Sequence, residues 1–199
     1  DGDGVITADK DRTVIGNANP KLIGGWNNQI AYRNFDLSLF LNWVVGNDIY
    51  NDNKIEMTDG AFPNLNMLAF MKDRWTNIND QGQVVTDPEA LKALNANASI
   101  WSPVRVQRYW LHSWAVEDGS FLRVNNLTLG YSLPSVLLKK VKLSRFRIYG
   151  TVNNLATFTK YTGYDPEVNT RRSDPLTPGV DFAGYPRAKT WVIGLNVTF

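Results

Sequence analysis

The last eleven residues of the chain constrain its fold most strongly. From Lys189 to Phe199, large apolar side chains alternate with residues that are mostly small or polar. One parity of this segment carries Trp191, Ile193, Leu195, Val197 and Phe199. Because successive side chains of a β-strand point to opposite faces, the pattern predicts a strand over about 189–199 with one apolar face.

Four further segments alternate in a similar way, over about 22–33, 35–46, 120–133 and 144–157. Arg33 and Asn34 separate the first two segments and predict a tight hairpin turn. A break in the alternation of the third segment predicts a β-bulge near Val124. The chain is therefore predicted to be all-β, with five antiparallel strands.

The connections between these strands are very unequal in length. Two are long, over about 47–119 and 158–188, and the others are short. If the strands are antiparallel in sequence order, both long connections lie at one end of the sheet. Aromatic residues also bracket the apolar runs, as Phe35 and Trp43 do in the second strand. Eight residues at about 3.4 Å each, tilted by about 40°, cross about 20 Å of bilayer, which favours an outer-membrane barrel with aromatic girdles.

Composition narrows the functional classes. Absence of cysteine excludes disulfides, thiol nucleophiles and thiolate metal sites, and His112 is the only histidine. Twenty-one basic against 19 acidic residues give a net charge of +2, which argues against a nucleic-acid partner. His112 and Ser113 are neighbours and would point to opposite faces of a strand, so they predict no catalytic triad and no enzyme. The opening Asp1-Gly2 indicates a fragment rather than a signal peptide.

Several short motifs follow one another along the chain. They include Gly46-Asn47-Asp48-Ile49-Tyr50, Glu117-Asp118-Gly119-Ser120-Phe121-Leu122-Arg123, Leu127-Thr128-Leu129-Gly130-Tyr131-Ser132-Leu133-Pro134 and Gly163-Tyr164-Asp165-Pro166-Glu167. In sequence and in order, these motifs resemble the SusC/RagA family of TonB-dependent transporters. The resemblance implies that the chain is the C-terminal part of a large, 22-stranded outer-membrane β-barrel, whose long extracellular loops contain short helices.

The same resemblance implies a function and a set of partners. Members of the family import oligosaccharides or peptides across the outer membrane of Gram-negative Bacteroidetes. The implied partners are a SusD-like surface lipoprotein, the TonB complex through an N-terminal part of the protein, the barrel-assembly machinery and outer-membrane lipid. This segment would supply barrel wall and outer loops.

A soluble β-sandwich that acts as a carbohydrate-binding module is the competing hypothesis, because its strands alternate as well. It predicts that residues such as Leu39, Ile193 and Leu195 are buried against a second sheet. A barrel predicts that they face outward, without protein beyond them.

The first residues of the chain form a candidate metal site. Asp1, Asp3, Asp9 and Asp11, with interspersed glycines, resemble part of a calcium-binding loop. The first ligand position of such a loop would precede Asp1. The usual glutamate position falls on Lys10, so Asp9 or Asp11 would have to replace it. A structural calcium ion and a turn without metal both remain open, and no other cofactor is expected.

The first long connection carries the candidate ligand-binding residues. These are Trp75, Trp101, Trp110 and Trp114, whose rings could stack on sugar faces, form a small core within the loop or contact the lipoprotein. In the same connection, the spacing from Met67 to Trp75 predicts a short helix. The apolar parity of the last strand, which ends at Phe199, resembles the C-terminal assembly signal of outer-membrane barrels.

Overall fold

A computed structural model describes residues 12–58, 66–102, 113–140, 142–170 and 177–199, together with Gly4, Thr7, Lys10 and Asn64. The chain divides into two compact units, one made of Asp1–Tyr50 and Val116–Phe199, the other of Asn51–Ala115. The described strands are β1 (Leu22–Tyr32), β2 (Phe35–Val45), β3 (Asp48–Asn51), β4 (Val116–Asp118), β5 (Phe121–Ser132), β6 (Arg145–Thr159), β7 (Val180–Asp181) and β8 (Thr190–Thr198).

Five of these strands form one antiparallel sheet in the order β1-β2-β5-β6-β8. Arg33 and Asn34 form the turn between β1 and β2, where Arg33 has a φ of 53°. The register of β5 shifts against both of its neighbours next to Asn125, which confirms the predicted bulge. The strand order follows the sequence, so the short connections lie at one end of the sheet and the long ones at the other.

One face of this sheet is apolar across all five strands. Tyr32, Phe35, Tyr131, Ile148 and Leu195 are paired in one row from edge to edge. At the β8 edge, Ile193 is 82% exposed and Leu195 is 58% exposed. Within the described ranges, no second sheet packs on this face. This contradicts the burial expected for a β-sandwich.

The opposite face is polar and carries a ladder of side-chain hydrogen bonds. Asn125 donates to Asn42 at 2.9 Å, and Asn126 donates to Asn153 at 2.8 Å. Asn153 in turn donates to Thr190 at 3.0 Å, which extends the ladder to β8. Cross-strand pairs of this kind stabilise a sheet and satisfy amides on a face without an apolar core.

An ion pair crosses the central strand on the polar face, at the end of the sheet with the short connections. The Arg147 guanidinium on β6 donates from Nε to Asp36 on β2 at 2.9 Å, passing over Gly130 of β5. A Cβ atom at position 130 would collide with both side chains. Glycine is therefore required here because of the close approach of its neighbours.

A second, three-stranded sheet has the order β4-β3-β7. It continues from the end of the large sheet that carries the long connections, since β3 follows β2 and β4 precedes β5 by two residues each. Ile49 on β3 is 1% exposed. The segment before β1 joins this region, because Asn17 donates its backbone N–H to the Asp48 carboxylate at 2.7 Å.

The unit of residues 51–115 contains short helices. They are α1 (Asp52–Glu56), a 3₁₀ helix (Ala69–Asp73), α2 (Pro88–Leu94) and a 3₁₀ helix (Ser113–Ala115), while α3 (Ser135–Lys140) belongs to the other unit. The helix expected over Met67–Trp75 is thus shorter, because Arg74 is already extended and the Trp75 N–H bonds to the Ile100 carbonyl at 2.8 Å. None of the described helices is long and apolar enough to cross a bilayer.

Two glycines of the large sheet provide a test of this packing. We expect Gly130→Ala to destabilise the sheet by about 1–3 kcal/mol, because the new methyl group displaces the Asp36–Arg147 pair. Gly150→Ala on β6 is the matched control, since nothing lies within 4 Å of its added Cβ. Denaturant midpoints of the two variants measure the difference. Equal midpoints would contradict the role of Gly130.

Candidate functional site

Arg123 on β5 is the centre of a charged cluster at the end of the sheet with the long connections. Its side chain lies on the polar face, since Arg123 pairs with Asn42 across to β2. The residue is 1% exposed, and its guanidinium forms an ion pair with Asp165. Its second terminal nitrogen lies 3.3 Å from the Glu167 carboxylate. A buried guanidinium is costly unless it is paired, so these two carboxylates compensate its charge.

Asp165 joins the two ends of the second long connection. Its carboxylate accepts hydrogen bonds from the backbone N–H of Glu167 at 2.9 Å and from that of Arg187 at 3.2 Å. Burial alone would raise the pKa of Asp165, but the hydrogen bonds from Glu167, Arg123 and Arg187 outweigh it and hold the pKa below its usual value. The Arg187 side chain also donates to Glu167 at 2.8 Å. Asp165 is therefore ionised and held by three groups, the Arg123 guanidinium and the backbone N–H groups of Glu167 and Arg187.

A buried tyrosine–carboxylate pair holds the same loop from a second position. The Tyr161 hydroxyl donates to Asp181 at 2.6 Å, and these residues are 5% and 0% exposed. Burial, together with the hydrogen bond to Asp181, raises the pKa of Tyr161 well above its usual value. Thr162 adds two hydrogen bonds to Glu117 on β4, each of 2.8 Å. The described part of the 160–188 loop is thus an ordered structure built on the sheets.

A cavity of about 660 Å³ lies in this loop, beside the charged cluster. Its volume falls in the range of small-molecule sites. The aromatic residues Phe182 and Tyr185 line it and are 52% and 92% exposed. The other lining residues are Asp165, Glu167, Val168, Asn169, Thr170, Gly184 and Arg187.

A second cavity, of about 550 Å³, lies in the unit of residues 51–115. Two of the predicted ligand-binding tryptophans, Trp75 and Trp101, line it together with Asn95, Ser99 and Ile100. Trp75 is 42% exposed. The structure therefore brings these two rings to one concave surface with polar neighbours.

Trp114 has a packing role in the same unit. Its ring meets Trp101 edge-on at 4.8 Å between centroids and meets Phe70 at 5.9 Å. The Lys54 ammonium lies 4.2 Å from the centre of the Trp114 ring and donates to its backbone carbonyl at 3.0 Å. Trp114 thus supports the wall that carries Trp101. Trp110 lies outside the described residues.

Asp1, Asp3, Asp9 and Asp11 all lie outside the described residues, and so does His112. Within the described part of the chain, no group of three or more His, Cys, Asp or Glu residues is arranged to hold a metal ion. The proposed assembly signal lies on β8 and just after it, where Trp191 is 71% exposed and Phe199 is 89% exposed.

Sequence reasoning did not find the Arg123 cluster. Asp165 and Glu167 are recognisable as neighbouring carboxylates, but their partner Arg123 is 42 residues from Asp165 along the chain. One signal was available: Arg123 interrupts the apolar residues around it at a strand position that a simple alternation assigns to the apolar parity. The bulge at Asn125 moves it to the polar face.

The chain matches one part of much longer known proteins. No family model matches it. It is 36% identical over 204 residues to the TonB-dependent receptor P3 of Formosa agariphila, a match that covers 100% of this chain and 18% of the relative. It is 31% identical over 180 residues to the TonB-dependent receptor SusC of Bacteroides thetaiotaomicron, covering 88% of this chain and 15% of SusC. The chain therefore spans less than a fifth of the length of these curated relatives.

Solved structures share the fold. The RagAB peptide importer in its closed-closed state matches with a TM-score of 0.73 and 24% identity, covering 98% of this chain and 19% of that chain. Its open-open state gives a TM-score of 0.72 at the same identity and coverage. The antiparallel fold predicted from the sequence is thus confirmed as that of a RagA-type segment. The relatives are receptors and importers, which agrees with the prediction of no enzymatic activity.

The Arg123 cluster gives a testable difference between a buried and an exposed arginine. Arg123→Met leaves Asp165 buried without its cation, so we expect a loss of about 3–5 kcal/mol. Arg187→Met is the control, because the Arg187 side chain is 48% exposed and an exposed pair contributes about 1 kcal/mol or less. Thermal unfolding and limited proteolysis within 160–188 measure both effects. Similar proteolysis of the two variants would show that Arg123 does not hold the loop.

Proposed function

We propose that this chain, which belongs to the TonB-dependent receptors of the SusC and RagA type, supplies barrel wall and outer loops to an outer-membrane importer. The matched relatives are all much longer than this chain, so import is proposed for the whole receptor and the wall for this segment. The two-faced sheet is the observation that carries the proposal.

The apolar face of the sheet supports contact with lipid. Exposure of side chains such as Trp191, Ile193 and Leu195 is unfavourable in free energy in water but not in the hydrocarbon of a bilayer. The rows of apolar residues extend from β1 to β8 without a second sheet over them in the described residues. The polar ladder around Asn126 and Asn153 then faces the aqueous interior.

The two edges of the sheet support a larger barrel. In the described part of the chain, β1 and β8 each pair with one neighbour in this sheet. A sheet edge in a bilayer leaves backbone groups without hydrogen bonds, so spanning sheets close into barrels. We infer that strands from the rest of the receptor pair with both edges. A total of 22 strands is the expectation from the family resemblance.

The proposed role is import of oligosaccharides or peptides across the outer membrane of a Gram-negative, Bacteroidetes-like bacterium. A SusD-like lipoprotein would cover the outer loops, and the TonB complex would act through another part of the receptor. Two facts support this: RagAB is described as a peptide importer, and both long connections of this chain lie at one end of the sheet.

Three further residue assignments belong to this proposal. Trp75 and Trp101 would contact the substrate or the lipoprotein through their shared cavity. The apolar side of β8, ending at Phe199, would be recognised by the barrel-assembly machinery. A structural calcium ion in the loop of Asp1, Asp3, Asp9 and Asp11 also stays a proposal.

Two neighbouring substitutions on β8 test whether its apolar face contacts lipid. We expect Leu195→Arg in the full receptor to cost about 2–4 kcal/mol near the bilayer midplane, because the charge enters lipid. Asn196→Arg, on the polar face, is the matched control. Immunoblots of outer-membrane fractions should show much less of the first variant and near-normal amounts of the second, with uptake changing in proportion. Normal membrane levels of Leu195→Arg, or a soluble wild-type receptor, would contradict the proposal.

A further inference from the structure

The cavity of the second long connection combines an exposed aromatic surface with a polar floor. Tyr185 is 92% exposed and Phe182 is 52% exposed, and they lie three residues apart. The charged groups Asp165, Glu167 and Arg187 lie on the same cavity wall. Aromatic rings beside hydrogen-bonding groups are a common composition of small-molecule sites.

The charges of the floor compensate one another. Arg123 and Arg187 face Asp165 and Glu167, two cations with two carboxylates, and three ion pairs connect them. A charged ligand group would have to leave water and would find only ions that are already paired. The floor therefore favours an uncharged ligand over a charged one.

The same floor can hydrogen-bond to hydroxyl groups. The side chains of Glu167 and Arg187 are 34% and 48% exposed, and they stand side by side at 2.8 Å. The carboxylate accepts hydrogen bonds and the guanidinium donates them. A pair of neighbouring hydroxyls, each of which both donates and accepts, can bond to both members of this pair, whereas a ligand ion matches only one of them.

The aromatic side chains match the remaining surface of a sugar. The face of an aromatic ring is electron-rich, and the C–H groups on one side of a pyranose ring are weakly positive and apolar. Tyr185 and Phe182 can supply such a face in the cavity that the Glu167–Arg187 pair also lines. Both belong to the cavity wall in the described structure.

The position of the cavity is appropriate for a transported solute. Its charged floor is built on Arg123, which lies on the polar face of β5 at the end with the long connections. If this face lines the aqueous interior, as proposed above, a solute entering from outside passes this cavity.

We infer that the cavity lined by Glu167, Phe182, Tyr185 and Arg187 is a binding subsite for a neutral saccharide. This inference deepens the proposed import function and rests on it. Tyr185 provides the stacking face, and the Glu167–Arg187 pair binds neighbouring hydroxyls.

Calorimetric titration of the purified full-length receptor tests the assignment. The probes are maltohexaose, laminarihexaose, xylohexaose and mannohexaose, with a decapeptide of glycine and alanine for comparison. We expect at least one hexasaccharide to bind and Tyr185→Ala to weaken it about 10-fold, as loss of a stacked ring would do. Tyr185→Phe keeps the ring and should bind like the wild type.

Tyr164→Ala is the matched control, because Tyr164 is 65% exposed in the same loop but does not line the cavity. Its affinity should equal that of the wild type. Absence of hexasaccharide binding, equal affinity of the Tyr185→Ala variant, or tighter and Tyr185-dependent binding of the decapeptide would overturn the saccharide assignment. A receptor that reaches the outer membrane and imports solute while Tyr185→Ala has no effect would refute the subsite and leave the importer standing.

Discussion

The rest of this structure depends on one antiparallel sheet whose two faces need different surroundings, apolar on one side and aqueous on the other. Apolar rows such as Tyr32, Phe35 and Tyr131 continue over every strand of the sheet, while amide pairs such as Asn126–Asn153 occupy the other face. A protein in water would have to cover the first face with a second layer. A bilayer removes that requirement, and the polar face then needs only water and its own hydrogen bonds.

The two ends of the sheet follow different physical rules. At the end with the short connections, close approach decides the residue, as at Gly130 beneath the Asp36–Arg147 pair. At the end with the long connections, a buried cation decides it, because Arg123 must find carboxylates and thereby fixes Asp165. The loop that Asp165 closes then carries a cavity with exposed aromatic residues. The proposed subsite thus lies on a loop that is held by the Arg123–Asp165 ion pair and by the Tyr161–Asp181 pair.

Much of the fold could be predicted from the sequence because its signal is local. Alternation indicates the β8 strand, and the break near Val124 indicates the bulge, since both depend on neighbouring residues alone. The contacts of the outer loops are different in kind. Arg123 with Asp165, and Tyr161 with Asp181, are pairs set by the folding of a long loop, and no sequence periodicity encodes them. Of the four predicted tryptophans, the structure brings Trp75 and Trp101 together, and this too depends on tertiary folding.

The most direct test of the account is a site-directed spin-label scan along β8 in the full receptor, reconstituted in lipid. This chain contains no cysteine, so single cysteines at positions 190–198 can be introduced and labelled within it. We predict that labels at odd positions such as 193 and 195 are relaxed by oxygen dissolved in lipid. Labels at even positions such as 192 and 196 should instead be relaxed by a water-soluble nickel complex. A scan without this alternation, or with odd positions shielded from both reagents, would contradict a lipid-facing wall.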